Sequence, residues 1–222
     1  MKRISKAKEG LRVGGFAILG TPYIRSGFTS RHGWSHTNNN ADLIDVYRET
    51  FDKPDDPLAY RYGAEYRKAE TWTAEIGVRV NGAIQTRSVR FRKTHHGPIT
   101  GVRDGKPLAV RALPISALDL MAQRVAMAKA RSLAEFQQVM SQRAITGSNT
   151  LYADQKGNIY YLHGNAIPKR EPDFDWSQPV DGADPRTEWQ GTYSLAELPQ
   201  QTNPASGYLQ NCNSTPFFAS GK

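Results

Sequence analysis

The chain has 222 residues, enough for one large domain or two small ones; 38% are hydrophobic, and 19 Gly with 13 Pro make it turn-rich and globular in composition. A single cysteine excludes an intramolecular disulfide framework and a cysteine-built zinc site. The 29 basic against 21 acidic residues give a net charge of +8, which favours polyanionic partners, but Lys and Arg are spread along the chain rather than gathered into a stripe.

The amino-terminal stretch from Met1 to Gly10 is basic. Leu11-Arg12-Val13-Gly14-Gly15 then interrupts the apolar run that a secretion signal needs. No segment approaches the roughly 20 apolar residues of a membrane-spanning helix. From Leu11 to Val110 the texture is strand-like. Glu75 to Val80 alternates, Asn81-Gly82 supplies a hairpin turn, and Ala83 to Phe91 alternates again. Within the second run, Arg87 to Lys93 predicts one wet strand face. Leu118, Met121, Val125 and Ala128 then recur at helical spacing over 117–131. Ser132 followed by Glu135 predicts a capping box opening a second helix that runs through Met140. Asn149–Asp154 and Ile159–His163 predict two strands around a Gly157-Asn158 turn, 167–204 an ordered surface loop, and Gly207–Asn213 a short last strand. The sum is a single α+β domain over 1–222.

Candidate chemistry starts at Trp34-Ser35-His36-Thr37-Asn38-Asn39-Asn40-Ala41-Asp42-Leu43-Ile44-Asp45. Asparagines after a strand can aim amide donors at a ligand, and equally can form a solvated turn. Asp42, the Ile44 carbonyl and Asp45 offer only oxygen, which suits calcium better than zinc. His95-His96-Gly97-Pro98 reads as a turn, because adjacent residues on a strand point to opposite faces and cannot easily share an ion. Cys212 has no local base and reads as a buried thiol. Asn213 beside it is placed either to donate to an oxyanion or to form a turn.

Taken in order, these segments resemble the penicillin acylase family of N-terminal-nucleophile hydrolases over nearly the whole chain. The marks are Gly20-Thr21-Pro22, Trp34-Ser35-His36-Thr37, Asp42 to Asp45, Thr94-His95-His96-Gly97-Pro98, Tyr152-Ala153-Asp154, Glu188-Trp189-Gln190-Gly191 and Asn203-Pro204 to Asn213. The resemblance implies part of an αββα sandwich, the β-chain portion, whose partners are an α chain and the rest of the β chain. It implies hydrolysis of small acylated amides such as β-lactam side chains, acyl-homoserine lactones or lipopeptide acyl groups, with no nucleic acid or membrane as partner. The backbone N–H of Asn38 and the side chain of Asn213 match the family's oxyanion donors. Asp42, Ile44 and Asp45 match part of its structural Ca2+ site. A periplasmic or extracellular location is implied as well.

The family's nucleophile is a serine opening a Ser-Asn-x-Trp start, and no such run occurs in the 222 residues. The expectation is therefore a segment that carries the oxyanion hole without the nucleophile and is inactive alone. Gly147-Ser148-Asn149 mimics a processing junction and makes Ser148 a competing nucleophile. Gly27-Phe28-Thr29 stands where the family often has Gly-His-Asn, which bears on pocket specificity. The competing class is a non-catalytic basic binding module derived from an acylase.

Overall fold

The computed structural model describes residues 2–6, 11–164 and 166–220, so part of the basic amino-terminal stretch lies outside the described residues. Short alternating and β-branched runs between glycines make strands the dominant element. In chain order they are β1 (Lys2–Lys6), β2 (Arg12–Phe16), β3 (Ser26–Phe28), β4 (His32–Asn38), β5 (Ile44–Arg48), β6 (Ala59–Tyr62) and β7 (Glu65–Lys68). They continue with β8 (Glu70–Val80), β9 (Ala83–Lys93), β10 (Ile99–Arg103), β11 (Lys106–Ala112), β12 (Ser148–Asp154), β13 (Ile159–Leu162), β14 (Val180–Asp181) and β15 (Gln200–Thr202). Helices α1 (Ala117–Lys129) and α2 (Leu133–Met140) lie between β11 and β12. Where the sequence reads as one domain, residue contacts divide into two compact units. One holds Met1–Leu43, Pro114–Pro168 and Gly191–Lys222, the other Ile44–Leu113 and Lys169–Gln190.

The first unit is built on a seven-stranded antiparallel sheet in the order β1-β2-β3-β4-β12-β13-β15. Alternation along β4 buries His32, Trp34 and His36 together. Trp34 joins Tyr152, Tyr160 and Leu162 from β12 and β13 in one core with Met127 of α1 and with Phe136 and Met140 of α2. His32 ties sheet to helix, its Nε2 lying 3.0 Å from the Met127 carbonyl oxygen.

Both helices start at a serine. Ser116 Oγ accepts the Asp119 N–H at 3.3 Å and Ser132 Oγ accepts the Glu135 N–H at 3.2 Å. The expected capping box closes one residue early, because Glu135 Oε2 accepts the N–H of Arg131 at 2.9 Å.

The second unit carries a four-stranded sheet in the order β10-β11-β5-β14 and two hairpins, β6–β7 and β8–β9. The β8–β9 turn is the one the sequence predicts. Asn81 (φ 48°) and Gly82 (φ 83°) both take the left-handed conformation that a two-residue hairpin loop requires. Over Ser88 to Phe91 the expected alternation forms, with Val89 and Phe91 half-buried and Ser88 and Arg90 exposed, but it does not extend along the hairpin. Most of the hairpin is open on both faces, with Trp72 at 43% and Ile84 at 61% exposure. Alternation predicts which residues share a face, whereas a second layer must come from elsewhere in the fold.

The predicted strand over Gly207–Asn213 is also absent. These residues are irregular, held by backbone bonds from Gly207 N–H to the Pro204 carbonyl (2.9 Å) and from Gln210 N–H to the Ala219 carbonyl (2.7 Å), and by the side chain of Asn211. Apolar residues alone do not make a strand where no neighbour supplies a ladder. The Ile167–Pro204 stretch is ordered, as expected, and contributes β14, β15 and two short 3-10 turns.

Candidate active site

Strands β4 and β12 pair with Thr37 opposite Asn149 and Asn38 opposite Ser148. Just beyond the pair, the Asn39 N–H donates to the Gly147 carbonyl at 3.1 Å. Antiparallel ladders alternate, so a bonded pair at 39/147 makes 38/148 the non-bonded pair. The Asn38 N–H therefore points away from β12, on the same side as the N–H of His36, which donates to Ser26 Oγ at 3.2 Å.

On that side lies a cleft of about 310 Å³ lined by Phe16, Arg25, Ser26, His36, Thr37, Asn38 and Asn213. The two asparagines singled out in the sequence, 175 positions apart, thus meet at one cleft. Arg25 Nη2 donates to Asn38 Oδ1 at 3.1 Å, so the Asn38 side chain is engaged while its backbone faces the cleft. Asn213 sits at φ 64°, a left-handed angle that asparagine tolerates, and its N–H donates to Asn211 Oδ1 at 3.0 Å.

A buried carboxamide connects the two sides, and the functional reading of the sequence had not assigned it a role. Asn149 is 1% exposed. Its Nδ2 donates toward the Asn38 carbonyl (3.2 Å), Thr37 Oγ1 (3.2 Å) and Asn211 Oδ1 (2.9 Å). Its Oδ1 accepts from Tyr161 OH at 3.1 Å and faces His163 Nδ1 at 2.7 Å. Thr37 Oγ1 also donates to Asn211 Oδ1. The available signal was an asparagine inside a strand that also carries Leu151 and Tyr152, since a buried amide must find partners.

His36 borders the cleft as a neutral ring. Its Nδ1 lies 3.3 Å from the Asn149 carbonyl and 3.1 Å from Thr150 Oγ1, and Nε2 is buried with no hydrogen-bond partner. Burial, with the Arg124 guanidinium adding to it, holds the imidazole well below its ordinary pKa.

The other candidates separate. Ser148 is buried in β12 between hydrogen-bonded neighbours β4 and β13. Cys212 is exposed rather than buried, because the segment that carries it runs over the surface and turns Asn211 inward instead. Asp42 belongs to the first unit, whereas Ile44 and Asp45 belong to the second, where both lie in β5. Asp45 is 2% exposed, and its Oδ2 accepts Arg170 Nε at 2.7 Å and also the Trp189 indole N–H. Asp45 Oδ1 is buried with no hydrogen-bond partner, the state of an oxygen suited to a hard cation.

The family model for penicillin amidase matches residues 4–221. The chain belongs to that family. It is 29% identical over 218 residues to penicillin G acylase of Escherichia coli, covering 93% of this chain and 25% of that protein. It is 27% identical over 234 residues to an acyl-homoserine lactone acylase, PvdQ, of Pseudomonas fluorescens, covering 94% of this chain and 30% of that protein. A solved structure of a thermostable penicillin G acylase from Alcaligenes faecalis superposes with a TM-score of 0.83 at 27% identity, over 97% of this chain and 38% of that one. This structural match bears out the α+β segment expected from the sequence. The chain spans only about a quarter to three-tenths of the length of these curated relatives.

Replacing Asn149 by Ala strands the partners of a buried amide and is expected to cost about 2–4 kcal/mol of stability, read from urea unfolding. The pH dependence has a definite sign. A histidine whose folded pKa lies below its unfolded value of 6.5 costs stability as pH falls through 6.5, because only the unfolded chain takes up the proton there. Wild type should therefore lose more stability than His36→Gln between pH 7.5 and 5. Equal losses would show that His36 protonates normally in the fold.

Proposed function

We propose that this chain is the oxyanion-stabilising part of an acyl-amide hydrolase of the penicillin amidase family. The reading is carried by one observation, that Asn38 and Asn213 line the same cleft. By resemblance to the family, a serine outside these 222 residues supplies the hydroxyl, and its own α-amine takes the proton as the oxygen attacks the amide carbonyl. The carbonyl π pair moves onto oxygen, where the Asn38 N–H and the Asn213 Nδ2–H donate to the developing negative charge. As the tetrahedral intermediate collapses, the C–N bond breaks and the departing amine takes the proton from the α-amine. Water then releases the acid from the acyl-serine by the same donors and base. Asn149 acts through others as a positioning residue, binding the Asn38 carbonyl and, by way of Asn211, the loop bearing Asn213.

The substrate class is a small acylated amide, a reading supported by relatives that are both named acylases. The partners are an α chain and the remaining β-chain residues, and the location is periplasmic or extracellular. Among the described residues no helix is long and apolar enough to cross a membrane. Structural calcium would be held by Asp42, the Ile44 carbonyl and Asp45, a reading supported by the partnerless Asp45 Oδ1. Its chemistry there is to tie chain segments together through hard oxygen ligands.

In the assembled enzyme, Asn213→Ala is expected to lower kcat on a chromogenic acyl anilide about 10²–10³-fold with little change in KM. The 222-residue chain alone should show no turnover; robust hydrolysis by it, abolished in Ser148→Ala, would replace this reading. Calcium is expected to raise the melting temperature of the assembled enzyme and a chelator to reverse it, with the shift lost in Asp45→Ala. An unchanged melting temperature under both treatments would remove the calcium site.

A further inference from the structure

The second unit holds a cluster of titratable side chains that the hydrolase reading does not use. His95 and His96 lie between β9 and β10 in a turn, as the sequence predicts, but the consequence drawn from strand geometry fails. In a turn the two rings swing to the same side, with centroids 3.8 Å apart at an interplanar angle of 40°. Gly97 makes this possible. At φ 143° it lies so close to β11 that a Cβ would sit 2.0 Å from the Val110 carbonyl oxygen. Both rings reach one carboxylate oxygen, Glu188 Oε1, at 2.6 Å from His95 Nε2 and 3.2 Å from His96 Nε2.

Only one of these approaches is a hydrogen bond. His96 Nε2, on a side chain with no solvent exposure, has the distance of an ion pair but no hydrogen-bond partner. A buried imidazole nitrogen aimed past a carboxylate oxygen and beside a second imidazole is poised for coordination rather than for proton donation.

We propose that His95 Nε2, His96 Nε2 and Glu188 Oε1 bind a divalent transition-metal ion of the zinc class. Each of the three residues offers a ligand atom within 4.8 Å of those of the other two. Tetrahedral zinc with bonds near 2.0–2.1 Å wants its donors about 3.3 Å apart, so the pair at 3.2 Å already fits. The pair at 2.6 Å needs to open by well under 1 Å. Two imidazoles and one carboxylate suit zinc, unlike the all-oxygen set around Asp45.

The ligands are also oriented from behind. His96 Nδ1 lies 2.8 Å from the buried Glu49 Oε1, the carboxylate–histidine pairing that fixes Nε2 as the free nitrogen of a metal ligand. Tyr47 stacks on the His96 ring at 3.8 Å and 8°. His95 Nδ1 is held by Tyr60 OH at 3.0 Å. Arg111 Nη1 binds the other Glu188 oxygen at 2.5 Å, which leaves Oε1 to the ion. With the His95 and Glu188 side chains about one-quarter exposed, at 24% and 25%, a fourth ligand position faces water. The competing occupant is a proton on His96 shared between Glu49 and Glu188.

Titrating the assembled enzyme with ZnCl2 by calorimetry at pH 7.5, and with Co2+ while following visible d–d absorption, separates the two. The expected result is one equivalent bound, a tetrahedral-type Co2+ band, and at least 10-fold weaker binding in His95→Gln. Glu49→Gln, which leaves the ligands in place, should weaken zinc by about 10–100-fold. Circular dichroism checks that each variant is folded. No heat and no Co2+ band with folded wild type, or unchanged affinity in folded His95→Gln, would overturn the site and leave the proton as its occupant.

Discussion

The cleft depends on the hydrogen bonding of one buried carboxamide. Asn149 sits in the middle of a sheet where water cannot reach it, so its donors and acceptor must be met by protein. Its partners come from three separate stretches: Thr37 and Asn38, Tyr161 and His163, and Asn211. A slip of one residue in the pairing of β4 with β12 would turn Asn149 to the other face and Thr150 toward Asn211. The same requirement that makes the amide costly to bury therefore locks the strand register and places the loop after Asn211.

The second unit handles charge in an analogous way. Burial pushes the Glu188 carboxyl upward, but hydrogen bonds from His95 and Arg111, with the His96 imidazole close by, outweigh it and hold the group well below the usual carboxylate range. Asp45 has Arg170 and Trp189 bonded to one oxygen, with the other left without a partner. The net charge of +8 gave no indication of this, because the cations that matter are folded against buried or half-buried acids rather than displayed as a patch. Composition reports the sum of charges, and the fold decides which of them are neutralised inside.

Much of the local structure was legible because its causes are local. Asn81-Gly82 forces a tight hairpin whatever surrounds it, and Ser132 caps a helix through a bond to the residue three positions on. Gly207–Asn213 misled because its apolar residues look like a strand, yet strand formation needs a partner edge that sequence pattern does not supply. The His95-His96 pair misled for the opposite reason. Strand alternation would separate the rings, but a turn fixed by Gly97 brings them together.

The sequence by itself determined the family, the α+β class, the hairpins and helix starts, and the two asparagines worth watching, since each rests on residue type and short spacing. Tertiary structure alone decided that Asn38 and Asn213 border the same cleft, that Asn149 and Asn211 join them, and that Glu188 gathers two histidines and an arginine. Those are contacts between residues up to 175 positions apart. Such contacts follow from sheet order and loop path, which no short stretch of chain encodes.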